Sequence, residues 1–126
     1  MKKHKLVHAD LKPDNILIRN NHKTCKLSDF GSAFPLEENS ITELLISRYY
    51  RPPEIILGLP YDNSVDMWSF GCTVFELYTG KFLFTGDNNN QMLKQIQALK
   101  GRIPNKMLKK GEFVNQHFDE NYQFLS

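Results

Sequence analysis

The feature that most constrains this chain is a pair of short strand-like runs, Ile16-Leu17-Ile18 and Thr24-Cys25-Lys26-Leu27, joined by the polar, turn-prone Arg19-Asn20-Asn21-His22-Lys23. Such a pattern favours a β-hairpin. A hairpin delivers what flanks it to one end: His8-Ala9-Asp10-Leu11-Lys12-Pro13-Asp14-Asn15 on one side and Asp29-Phe30-Gly31 on the other. Asn15 and Asp29 then offer hard oxygen donors, which suit Mg²⁺ holding phosphates better than zinc or iron. Asp10 is left to accept a proton, and Lys12 can offset negative charge building on a phosphoryl group. Pro13 fixes its own φ and stiffens the loop that aims Asp10. Gly31 gives the segment after Phe30 the backbone freedom of a hinge. Asp, Asn and Pro also build plain turns, but so many specified residues at fixed offsets point instead to phosphoryl transfer, where catalysis is mostly positioning and charge neutralisation.

Two helices follow. Ser64 to Gly80 reads as a helix with Ser64 as N-cap and Gly80 as stop. Val65, Met67, Trp68, Phe70, Val74, Phe75, Leu77 and Tyr78 leave it almost no polar face, which predicts burial on all sides. Asp66, in its first turn, is suited to accept backbone N–H bonds from the 8–15 loop. Asp87-Asn88-Asn89-Asn90 opens a second helix with Leu93, Ile96 and Leu99 on one side and Gly101 at its end. Between the hairpin and these helices, Asp29 to Glu54 shows little periodicity, as functional or disordered loops do. Residues 104–126 read as irregular.

With 126 residues the chain is at most one ordinary domain, and its net charge of +2 does not argue for nucleic acid. The runs Lys2-Lys3-His4-Lys5 and Lys106 to Lys110 read as solvated surface rather than a polyanion site. Direct nucleic-acid binding is therefore not expected. No apolar run approaches the ~18 residues of a membrane span, and no secretory signal is expected. Cys25 and Cys72 both fall in apolar runs and read as buried thiols of a reducing compartment. The four histidines show no metal-ligand spacing with them, so no zinc is expected.

The pattern His-x-Asp-Leu-x-x-x-Asn followed by Asp-Phe-Gly resembles the signature of the eukaryotic protein kinases. The resemblance implies a mainly α fold with a small β-hairpin (α+β), the partial C-terminal lobe of a protein-kinase-like domain over residues 1–126. Within it, 8–15 is the catalytic loop, 29–54 the activation segment, about 64–79 the central helix and about 101–126 the insert of the CMGC group. Asp10 and Lys12 are the implied catalytic residues, and Asn15, Asp29 and Lys12 bind the cofactors, ATP and Mg²⁺, with Asn15 and Asp29 on the metal. His8 is implied as a packing post, and Asp66 and Glu54 as structural supports. Asp-Leu-Lys-Pro-x-Asn resembles the serine/threonine class, and Ser47 takes the position that bonds the catalytic Asp and Lys.

Ser47-Arg48-Tyr49-Tyr50-Arg51 before Pro53-Glu54, with Lys100 to Met107 and Gln116-His117-Phe118-Asp119, is similar to CMGC kinases of the splicing-associated, pre-mRNA-processing branch. Protein Ser/Thr substrates, splicing factors among them, and a nuclear location are what this implies. Arg48 and Arg51 offer forks for a phosphorylated Thr42, Ser40 or Ser32, with Thr42 best placed; the other reading gives them local carboxylates. Three positions depart from the pattern. Ala9 replaces an Arg that pairs with activation-segment phosphate, Leu44 stands where that branch has a phosphorylated tyrosine, and Pro52 replaces Ala. Nothing in the chain matches Gly-x-Gly-x-x-Gly or Val-Ala-Ile-Lys, so the N-terminal lobe and the end of the C-terminal lobe are expected to be absent. The chain alone is then expected to be inactive or nearly so and marginally stable, with Glu54 short of its arginine. Its alternative role is that of a binding or scaffold module.

Overall fold

The computed structural model describes residues 5–126, so the basic run at Lys2–His4 lies outside the described residues. Helices dominate the later two thirds of the chain, and the strands are short and paired early. Strand β1 (Leu6–Val7) runs antiparallel to β4 (Phe34–Pro35), with Val7 opposite Phe34. The described residues entering the 8–15 loop, Leu6 and Val7, are therefore strand. Strand β2 (Ile16–Ile18) pairs with β3 (Cys25–Leu27) in the register Ile16 to Leu27 and Ile18 to Cys25. The turn closes through Arg19 N–H to Thr24 O at 3.0 Å and His22 N–H to Arg19 O at 2.9 Å, with His22 left-handed at φ 55°.

Among the described residues four helices carry the core: α1 (Pro53–Ile56), α2 (Val65–Thr79), α3 (Asn89–Lys100) and α4 (Asn105–Leu108). Ile55, Ile56, Leu57, Val65, Met92 and Leu93 are buried together, with Leu108 and Phe118 closing the cluster from the last quarter of the chain. That quarter is less irregular than its composition suggests: besides α4 it holds a 3₁₀ turn at Val114–Gln116 and a bridge between Phe118 and Phe124. Segment 29–54 likewise contains β4 and two 3₁₀ turns, Leu36–Glu38 and Arg48–Tyr50.

Helix α2 stops where glycine allows it, with Gly80 at φ 74° and its N–H on Glu76 O. Its start differs from the sequence reading. Ser64 occupies the N-cap position but makes no side-chain cap bond. Instead Asp62 Oδ1 accepts the Ser64 N–H at 2.8 Å, an Asx turn that shapes the entry one step earlier. Asn88 does cap α3, accepting the Gln91 N–H. Burial of α2 is one-sided. Val65, Asp66, Ser69, Cys72 and Thr73 face inward, while Met67, Phe70, Val74, Leu77 and Tyr78 are exposed, Tyr78 at 92%. Apolar periodicity identifies the helix but does not supply a neighbour for every face. Leu99 is also exposed, because α3 buries Met92, Leu93 and Ile96 instead. Cys25 is exposed, since the hairpin stands clear of the core, whereas Cys72 is buried and its thiol is pushed up to about 11 by burial.

Candidate active site

The 8–15 loop is held from below by α2. Asp66, 6% exposed, accepts the His8 N–H at 2.8 Å on one oxygen and the Ala9 N–H at 3.1 Å on the other. Two charge-assisted bonds from consecutive amides fix the peptide plane ahead of Asp10. Ala9 sits left-handed at φ 67°, a conformation that costs a residue with a Cβ about 1–2 kcal/mol. His8 is fully buried; its Nδ1 accepts the Asp10 N–H at 3.1 Å, so Nε2 carries the proton and donates to Ser28 O at 2.9 Å. Phe30 packs edge-on against the same ring at 4.9 Å. One imidazole thereby ties the loop to the far strand of the hairpin.

Asp10 is the meeting point. Ser47 Oγ donates to its Oδ1 at 2.9 Å, Asn15 Nδ2 to its Oδ2 at 3.1 Å and to its carbonyl at 2.7 Å, and Lys12 Nζ stands 3.6 Å from Oδ1. Among the described residues this is the one ion pair. The hairpin register sets Asn15 against Ser28, whose N–H and hydroxyl both reach Asn15 O, at 2.9 and 3.3 Å. Asp29 follows one residue on, exposed and left-handed at φ 57°, with Oδ1 accepting the Gly31 N–H at 3.3 Å. Asn15 spends its amide hydrogens on Asp10, and no described residue donates to its Oδ1. The donor set at this end of the hairpin is thus one amide oxygen and one exposed carboxylate, both hard and both with spare lone pairs, which fits a divalent cation of the Mg²⁺ type.

Beside Ser47 lies an open cavity of about 390 Å³ lined by Lys12, Asp14, Ser47, Tyr50, Glu76 and Phe82. Tyr50 donates its hydroxyl to Glu76 Oε1 at 2.6 Å, and burial together with that carboxylate raises its pKa. Thr42 accepts the Leu44 N–H on Oγ1.

Arg48 and Arg51 have partners that neither sequence reading named. Their hydrogen bonds go to neutral oxygens, mostly backbone carbonyls, rather than to a carboxylate or to Thr42. Arg48 Nη1 bonds Asp87 O and Gly86 O, while Arg51, 7% exposed, bonds Leu44 O, Leu45 O and Ile46 O and the side chain of Asn89. Glu54 has no cation partner among the described residues, and burial raises its pKa. Ser28, Glu76 and Asn89 were not singled out from the sequence. Ser28 could have been found from the hairpin register; for the other two no local pattern marks the contact.

Asp10 is thus bonded by a hydroxyl and an amide with a lysine beside the same oxygen as the hydroxyl, and Asn15 and Asp29 flank the hairpin. A family model for the protein kinase domain matches residues 1–125, and the chain belongs to that family. The chain is 48% identical over 125 residues to the serine/threonine-protein kinase prp4 of Schizosaccharomyces pombe, covering 99% of this chain and 26% of that protein. It is 51% identical over 125 residues to the serine/threonine-protein kinase prpf4B of Dictyostelium discoideum, covering 99% of this chain and 15% of that one. A probable dual specificity protein kinase YAK1 homolog of Encephalitozoon cuniculi is 43% identical over 124 residues, covering 95% of this chain and 30% of that protein. The chain therefore spans roughly a sixth to a third of the length of these relatives. No helix among the described residues is long and apolar enough to cross a membrane.

Proposed function

We propose that this chain is the catalytic region of a serine/threonine protein kinase, and that residues 8–15 and 29–54 are its catalytic loop and activation segment. The observation that carries the reading is the Asp10 carboxylate, held by Ser47 and Asn15 and flanked by Lys12 on a loop anchored to Asp66. Asp10 orients a substrate serine or threonine hydroxyl and takes its proton as that oxygen bonds to the γ-phosphorus and the bond to ADP breaks. Lys12 steadies the transferred group, and Ser47 keeps Asp10 aimed. Asn15 and Asp29 are the residues that would hold Mg²⁺, which when bound neutralises phosphate charge. The cavity between Asp14 and Phe82 receives the polypeptide around the accepting hydroxyl. Similarity to prp4 and prpf4B supports protein substrates of the splicing apparatus and a nuclear location.

Titration of the chain with Mg²⁺ and ATP, followed through the side-chain NMR signals of Asn15 and Asp29, tests the site without requiring turnover. A Mg²⁺-dependent shift tighter than the millimolar range, lost in Asp29→Asn, is expected. Nucleotide that leaves both signals unmoved at several millimolar Mg²⁺ overturns the reading and favours a scaffold role.

A further inference from the structure

Asn89 sits 79 positions from Asp10 in sequence, yet it stands at the head of a continuous chain of contacts that ends there. As the first residue of α3 it faces segment 43–51. Its Nδ2 donates to Glu43 O at 3.1 Å, and its Oδ1 accepts from Arg51 Nη1. Arg51 in turn donates from Nε to Leu45 O at 3.0 Å and Ile46 O at 3.1 Å, and from Nη2 to Ile46 O at 2.8 Å and Leu44 O at 3.4 Å. Two of these donors, Nε and Nη2, converge on the carbonyl of an unusual residue. Ile46 is β-branched, 6% exposed and left-handed at φ 71°, a combination that persists only where surroundings over-determine it. The next residue is Ser47, whose hydroxyl donates to Asp10 at 2.9 Å.

We propose that Asn89 is a positioning residue for the reaction: by orienting Arg51 it holds Ile46 in its strained conformation, aims Ser47 at Asp10, and sets this segment without any phosphate. The acceptors that Arg51 and Asn89 engage are neutral oxygens of residues 43–46 and of Asn89 itself, present in the chain before any modification. A guanidinium whose Nε, Nη1 and Nη2 are all engaged cannot fork a phosphate unless it first releases these oxygens. Arg48 adds a parallel tie from the same turn to Gly86 O and Asp87 O, on the lead-in to α3. The departures in sequence agree with this: Leu44 carries no hydroxyl to modify, and Ala9 carries no guanidinium to receive a phosphate.

The inference rests on Asp10 being the catalytic carboxylate, and its test is independent of nucleotide. Amide exchange in the unphosphorylated chain is to be measured at Ile46, Tyr50 and Arg51, with Leu93 and Ile96 of α3 as internal reference. Asn89→Ala is expected to speed exchange at the first three at least tenfold and at the reference pair less than threefold. Asn89→Asp, which keeps an acceptor for Arg51, is expected to restore most of the protection. The ¹³Cγ resonance of Asp10 should move in Asn89→Ala in the same direction as in Ser47→Ala, a response that a merely structural role would not produce. Thr42→Glu should leave all of these unchanged. Unchanged exchange and an unmoved Asp10 signal in Asn89→Ala, equal acceleration of the α3 reference amides, or a wild-type segment that becomes protected only with Thr42→Glu would each overturn the proposal. Loss of Mg²⁺-nucleotide binding with these results intact would instead count against the site assignment alone.

Discussion

Asp66→Asn isolates what α2 contributes to the loop that carries Asp10. The substitution is nearly isosteric, keeps one oxygen and replaces the other with an NH₂ group. In the native chain the two oxygens accept the His8 and Ala9 N–H groups at 2.8 and 3.1 Å, at a site 6% exposed. A hydrogen bond to a charged acceptor contributes about 1.5–3 kcal/mol, and one backbone N–H would now face another donor with no water to turn to. Against this, the variant no longer buries a carboxylate, which returns part of the loss. A net destabilisation of about 2 kcal/mol follows. For a chain of this size that corresponds to a fall in Tm of about 8 °C. The loss should concentrate where strain is held: Ala9 relaxes from its left-handed conformation once one of the two bonds is gone. Thermal unfolding followed by circular dichroism gives the total, and amide exchange at His8 and Ala9 gives the location. A fall below about 2 °C with both amides still protected would refute the view that α2 fixes this loop through Asp66.

Three further outcomes can be checked on the same material. Glu54→Gln should stabilise the chain at pH 7: burial raises the native pKa of Glu54, so its contribution is most favourable at acid pH and is lost as pH rises through that value, and the advantage of Gln over Glu should shrink in urea titrations near pH 4. A thiol reagent at pH 8 should modify one cysteine rapidly, the exposed Cys25, while Cys72, buried and with a pKa near 11, reacts only on unfolding; equal rates would contradict the placement of the hairpin. Gly58→Ala should lower stability by about 1–3 kcal/mol, because a Cβ there would lie 2.7 Å from Phe113 on a residue at φ 72°, and a neutral result in chemical denaturation would show that Phe113 is free to move.

The parts of the molecule that sequence makes legible are those governed by local rules. The β2–β3 hairpin follows from two apolar runs around a polar turn, and α3 from its period, its Asp87-Asn88-Asn89-Asn90 opening and Gly101. The presence of α2 is equally plain. Its one-sided burial is not, because a pattern of apolar residues states which faces could be covered and not which ones are. Cys25 illustrates the same limit: three residues of strand are too few to reveal that neither face meets the core. At the site, Asp10, Lys12, Asn15 and Asp29 are chemically distinctive letters at fixed offsets. The Arg51 clamp had no such announcement. Its partners are mostly backbone carbonyls, which every residue possesses, so no residue type could have named them. Ser47 was legible by resemblance, but the left-handed Ile46 that aims it is a property of the backbone alone.

Trp68 stacks on Phe84 with ring centroids 5.9 Å apart and planes 11° apart, and its indole N–H is buried without an acceptor among the described residues. It is the single tryptophan of the chain, two positions after Asp66 on α2. The molecule therefore carries its own optical gauge. Excitation at the red edge of protein absorption interrogates that one ring, and its emission colour reports whether water has reached the underside of the helix beneath the 8–15 loop, with no label attached.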